Sequence, residues 1–184
     1  VHAVVGLQHA PMAIYNAFAD QVPIVIIAGN NTDEALRRPD ADWLKSAHDQ
    51  AIIVRDITKW DDEPGTLQGF ADSMVRAYDI ATSVPAAPVL IVASGELMEE
   101  ELPPAERSRL RIPTLKTRAH PQGESGAVRE AAKWLAAAEY PVITADRYCR
   151  TQEGMGRLVE LAELLQAPVI DRGGRLNFPN QHPL

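Results

Sequence analysis

His2-Ala-Val-Val-Gly-Leu-Gln-His-Ala-Pro-Met-Ala-Ile-Tyr-Asn-Ala-Phe-Ala-Asp20, followed by Pro23-Ile-Val-Ile-Ile-Ala-Gly29, sets the fold. Val1–Val5 predicts a strand and Gly6 a tight turn. Pro11, Ile14, Tyr15 and Phe18, three and four residues apart, predict a helix. Ile24–Ile27 is an unbroken β-branched run, as in a central parallel strand covered on both faces. The sequence therefore opens inside an α/β domain, and the expectation is a piece of a larger enzyme.

The same alternation continues outward. Asn30–Asp42 reads as a polar surface loop and Ala51–Val54 as a short strand. Leu67, Phe70, Ala71, Met74, Tyr78 and Ala81 mark one face of a helix opened by Pro64-Gly65, and Val89–Val92 is the next strand. Alternating strands and helices imply a parallel sheet with right-handed crossovers. Residues 103–125, with four prolines and little periodicity, read as an interdomain connection. The pattern then restarts. Val128, Ala131, Ala132, Leu135 and Ala136 predict a helix and Pro141–Ala145 a strand. Met155, Leu158, Val159, Ala162 and Leu165 predict a second helix, and Pro168–Ile170 a second strand. The division expected is 1–102, 103–125 and 126–184, with the last stretch too short for an independent doubly wound domain.

Composition excludes several classes. A net charge of −7 over 184 residues argues against nucleic acid as a main partner. No apolar run approaches the ~20 residues of a membrane span. The single cysteine, Cys149, fits a reducing compartment and a cytoplasmic enzyme, and no base lies near it in sequence. The five histidines form no metal-ligand cluster. Gly154, Gly156 and Arg172-Gly-Gly-Arg175 match no phosphate loop and read as turn glycines. Asp61-Asp-Glu63 and Glu99-Glu-Glu101 read as solvated faces. His2 would lie near the C-terminal end of its strand, where parallel sheets bind ligands, and imidazole suits proton transfer near neutral pH. The plainer reading is a histidine satisfied by backbone groups.

The ordered set of segments resembles the thiamine diphosphate-dependent enzymes, most nearly relatives of benzoylformate decarboxylase and acetolactate synthase. The opening stretch resembles the second half of their pyrimidine-binding domain. Lys59-Trp-Asp-Asp-Glu63-Pro64 resembles the family's Lys-Trp-x-x-Glu-Pro segment. Ala77–Ser83 with Ala87–Ile91 resembles the helix and strand that close that domain. Ala131–Ala138, Tyr140–Ile143, Leu161–Leu165, Ala167–Ile170 and Asn180–Pro183 resemble the start of the family's central domain.

The resemblance implies thiamine diphosphate and Mg2+ as cofactors, a small 2-oxo acid as substrate, decarboxylation or carboligation as reaction, and a homodimer or homotetramer. It implies His2 as the catalytic acid/base, and Val4, Val5 and Gly6 as the turn that approaches the cofactor ring. His9 stands where relatives often have Asn. His48 lies in a region that approaches substrate in some relatives. The family's activating glutamate would lie before Val1 and its metal–diphosphate motif after Leu184, so these residues alone are expected to be inactive. A non-catalytic module that retains the fold is the alternative. An unrelated nucleotide-binding α/β protein is disfavoured by the missing phosphate-loop glycines.

Overall fold

A computed structural model of the chain describes residues 1–35, 37–99, 101–116, 121–173 and 176–184. The expectations touching Glu100, residues 117–120 within the connection, and Gly174 and Arg175 lie outside the described residues. The chain divides into two compact units, Val1–Thr117 and Arg118–Leu184.

The first unit is built on three parallel strands in the order β1-β3-β2: β1 Val25–Asn30, β2 Asp61–Asp62 and β3 Val89–Ser94. β3 is the central strand, with Val89 to Ala93 all buried. Its side chains alternate between two cores, as a strand's period of two requires. Leu90 and Val92 meet Leu7, Ile14, Ile26, Ala28, Ala51 and Val54 on one face. Val89 and Ile91 meet Ala77 and Ala81 on the other. The helices supplying these faces are α1 (Ala3–His9) and α2 (Pro11–Ala19) on one side and α4 (Leu67–Thr82) on the other. The short helices α3 (Ala41–Lys45), α5 (Gly95–Glu99) and α6 (Pro104–Arg107) complete the unit. α6 gives the expected connection a helical turn.

Several expectations are corrected. Val1–Val5 is not a strand. Only Val1 lies along β1, donating to Ile27 O at 2.6 Å and accepting from Gly29 N at 3.4 Å, and helix begins at Ala3. Among the described residues β1 pairs with β3 on one side and with Val1 alone on the other, and Ile24 and Ile27 are exposed, so the run is not covered on both faces there. Ala51–Val54 is not a strand either. It belongs to two 3₁₀ turns, Ala51–Ile53 and Arg55–Ile57, closed by Val54 N to Ala51 O and Ile57 N to Val54 O. Burial at Ala51 and Val54 follows the three-residue repeat of such a turn. Asp61-Asp62, read as a solvated run, pairs with Leu90 and Ile91 as β2. Asp62 accepts a short hydrogen bond from Ser73 Oγ, and Asp61 forks with Arg55.

The apolar faces also turn. In α2, Ile14 and Ala17 are buried while Tyr15 and Phe18 are exposed. In α4 the small residues Ser73, Ala77 and Ala81 face the sheet and Tyr78 faces out. Small side chains let the helix backbone approach the sheet, and the larger Phe70 and Met74 flank them. Thr66 caps α4 by accepting from Gly69 N at 3.0 Å.

Lys59 ties α4 to the sheet. Its ammonium donates to Ile80 O, Ser83 O, Ser83 Oγ and Pro85 O at 2.8–2.9 Å. It thereby satisfies carbonyls that the end of a helix leaves open.

The second unit pairs β4 (Ile143–Ala145) with β5 (Val169–Asp171) in parallel, with α8 (Gln152–Leu165) between them in sequence. Ala145, Cys149, Leu158, Ala162 and Phe178 form its core. Gly154 and Gly156 lie inside α8, not in a turn. α7 (Ser125–Ala137) is the helix expected from Val128, Ala131, Ala132, Leu135 and Ala136, and none of its side chains is buried. Its start is capped by Glu124, which accepts from Gly126 N and Ala127 N. Asp171 organises the loop after β5, accepting from Gly173 N, Asn177 Nδ2, Asn177 N and Phe178 N.

Replacing Lys59 with Met should lower stability by about 2–4 kcal/mol, because several carbonyls lose a charged donor at once. Urea denaturation of the two proteins checks this, and a loss under about 0.5 kcal/mol contradicts it.

The bond from Gly173 N, with those from Asn177, holds the Asp171 carboxyl below its ordinary value. A depressed carboxylate stabilises above the unfolded value of about 3.9, and that contribution is lost as pH falls through the folded one. Asp171→Asn should therefore be less stable than the parent at pH 7. The gap should close in strong acid when both are denatured across a pH series.

Candidate functional site

The parallel pairing of β1 with β3 sets Asn30 beside Ser94, so both strands end at one level. That C-terminal edge is where parallel sheets bind ligands. Val1 lies along β1 and delivers His2 to the same edge. His2 is extended (φ −80°, ψ 112°), and Ala3 then takes φ 35°, a left-handed conformation unusual for a residue with a Cβ. The turn is thus made at Ala3, not across Val4, Val5 and Gly6, which lie within α1.

A cleft of about 710 Å³ opens at this edge, within the range of small-molecule sites. His2, Asn31, Arg38 and Lys45 supply its polar wall, and Ile27 and Met98 its apolar one. Arg38 and Asp42 form a fork, with Nε to Oδ2 at 3.0 Å and Nη2 to Oδ1 at 3.3 Å. The backbone N–H of Arg38 adds a third bond to Asp42 at 2.9 Å. Arg38 thereby holds the Asp42 carboxyl below its ordinary range. Gly95, where the edge turns into α5, leaves room for the Asn31 side-chain oxygen, which a Cβ there would displace.

Asn30, 2% exposed, joins the cleft to a second cluster. Its Nδ2 donates to Ala47 O at 2.9 Å and to Glu63 Oε1 at 3.4 Å, and its Oδ1 accepts from Ala47 N at 3.2 Å. The loop bearing His48 is therefore tied to the end of β1. Glu63 as a residue is exposed, yet its Oε1 is turned toward the buried amide. Burial of that carboxyl raises its pKa. The Asn30 bond opposes this, the charges of Asp49 and Glu96 add to it, and His48 opposes it. Glu96 accepts from Asp33 N at 2.8 Å through Oε1, while its buried Oε2 has no partner among the described residues.

Of the residues singled out in the sequence, His2 alone lines the cleft. His48 is exposed outside it but interacts with Glu63. His9 lies at the far end of α1 from His2 and is exposed. Val4, Val5 and Gly6 also lie outside the cleft lining. Sequence reading passed over Asn30, Arg38, Lys45 and Glu96, and took Glu63 as part of a solvated run and of the Lys-Trp-x-x-Glu-Pro segment. Asn30-Asn31 directly after a β-branched strand was the available signal, since polar residues there stand at the ligand edge. Among the described residues, no three His, Cys, Asp or Glu side chains are arranged to hold a metal ion.

No family model matches the chain. The probable acetolactate synthase large subunit of Methanocaldococcus jannaschii is 26% identical over 185 residues, spanning 97% of this chain and 30% of that protein. The thiamine diphosphate-dependent 4-hydroxybenzoylformate decarboxylase of Rhodococcus jostii aligns over the whole chain with a TM-score of 0.81 at 22% identity. This chain covers 34% of that one. The fold is the α/β parallel-sheet fold of that structure. The sequence comparison accords with the resemblance to thiamine diphosphate-dependent enzymes read in the sequence, and the structural one with its fold. The chain spans about a third of the length of each relative.

The Glu63 carboxyl binds its proton more tightly in the folded protein, so its ionised form costs stability as pH rises through the raised value. Glu63→Gln keeps an oxygen for Asn30 and removes the charge. The variant should be more stable than the parent at pH 7, with the difference shrinking below the ordinary glutamate value of about 4.3. Denaturation at pH 7 and pH 4 measures it, and a variant less stable at pH 7 refutes the assignment.

Proposed function

We propose that these residues belong to a thiamine diphosphate-dependent enzyme that decarboxylates or carboligates 2-oxo acids. The observation that carries this reading is His2 at the rim of a cleft on the C-terminal edge of a parallel sheet. Residues 1–102 would be part of the pyrimidine-binding domain, 103–125 a connection, and 126–184 the first half of a central domain. The active assembly would be a cytoplasmic homodimer or homotetramer.

The described residues do not fit the Mg2+–diphosphate end of the cofactor, since no set of metal ligands converges among them. The roles proposed for Val4, Val5, Gly6 and His9 toward the ring rest on the resemblance alone. The chemistry the cofactor would supply is that of an electron sink for 2-oxo acids. In this chain, His2 would exchange protons with the substrate-derived group, a task suited to an imidazole. The strained turn at Ala3 holds His2 at the rim. The Arg38–Asp42 fork stiffens the polar wall that His2 shares, and Asn30 positions the loop carrying His48, proposed to approach the substrate.

The test is carbon dioxide release from pyruvate and benzoylformate by the protein carrying these residues, with thiamine diphosphate and Mg2+ added. His2→Ala should lower kcat by about 10²–10⁴-fold while leaving the circular dichroism spectrum unchanged. A variant within threefold of the parent removes His2 from the chemistry. No turnover of either acid by the parent overturns the reading.

A further inference from the structure

The cleft contains more charge than its internal pairing uses. Its cations are Arg38 and Lys45, and its anions Asp42 and Glu99. Arg38 engages both carboxylate oxygens of Asp42 and also interacts with Glu99. Asp42 is 7% exposed and already accepts three hydrogen bonds from Arg38, so it has little capacity left for a second cation. Lys45, the last residue of α3, reaches the cleft with no hydrogen bond or ion pair among the described residues. It feels Asp42 through space only.

We infer that Lys45 is the carboxylate anchor of this cleft, holding a small monoanionic 2-oxo acid with its reactive carbonyl turned toward His2. This rests on the function proposed above. Lys45 is the cation of the cleft whose ammonium keeps its donors for a ligand, and a single ammonium suits a monoanion better than a phosphate dianion. An ammonium on a flexible stem offers one strong donor contact rather than the two-point grip of a guanidinium. The apolar side made by Ile27 and Met98 accommodates the rest of the acid.

Pyruvate titration followed by NMR, without cofactor, reads this assignment directly. Pyruvate should shift the His2 imidazole and Lys45 side-chain signals. Lys45→Met should weaken its binding at least about tenfold, and Lys45→Arg should restore most of it. Inorganic phosphate should compete poorly. Equal binding by Lys45→Met, no pyruvate binding by the parent, or tighter binding of phosphate would each overturn the inference. In turnover, Lys45→Met should raise KM for pyruvate with kcat nearly unchanged. Lys45-dependent pyruvate binding without carbon dioxide release would uphold the anchor and remove the proposed reaction. Turnover with Lys45-independent binding would do the reverse.

Discussion

The parallel pairing between β1 and β3 is the constraint on which the first unit rests. β3 is buried along nearly its whole length, so its backbone groups must be satisfied by neighbouring strands. Pairing with β1 on one side and β2 on the other does this, and fixes which side chains enter which core. A one-residue slip would send Leu90 and Val92 to the face lined by α4. The same register brings the ends of β1 and β3 level, and the cleft opens there. Stability of the layers and placement of the site follow from one ladder of hydrogen bonds.

Around that edge the polar groups divide their work. Arg38 and Asp42 spend their charge on each other and keep one wall rigid. Asn30 spends all its amide contacts on protein, two on Ala47 and one on Glu63. His2 and Lys45 are left facing the open space. A site that binds and transforms a small molecule needs both kinds of group, with the first holding the geometry in which the second can act.

The strands and helices of the fold class were legible because their apolar periods are strong. Val89–Val92 and the helix at 67–82 are read from the pattern alone. Failures came where two periods overlap. Ala51–Val54 is apolar throughout, and only the spacing of Ala51 and Val54 separates a 3₁₀ turn from a strand. Val1, Val4 and Val5 are β-branched and favour a strand, yet only Val1 reaches the β1 ladder and the turn at Ala3 starts a helix. β2 consists of two aspartates, and no propensity selects them. Tertiary pairing with Leu90 and Ile91 does. The site was legible at His2, which stands next to the strand-to-helix turn. Lys45, Glu63 and Glu96 come from three separate segments, and the fold brings them to the edge.

α7 is held mainly by its own hydrogen bonds and by the Glu124 cap, since none of its side chains is buried. Opening it would expose little new apolar area. The free energy of that opening would then respond only weakly to urea, unlike that of α8, whose Leu158 and Ala162 sit in the core. Within these residues the two helices therefore differ in their coupling to the core: opening α7 alone leaves the cluster intact, and opening α8 removes Leu158 and Ala162 from it.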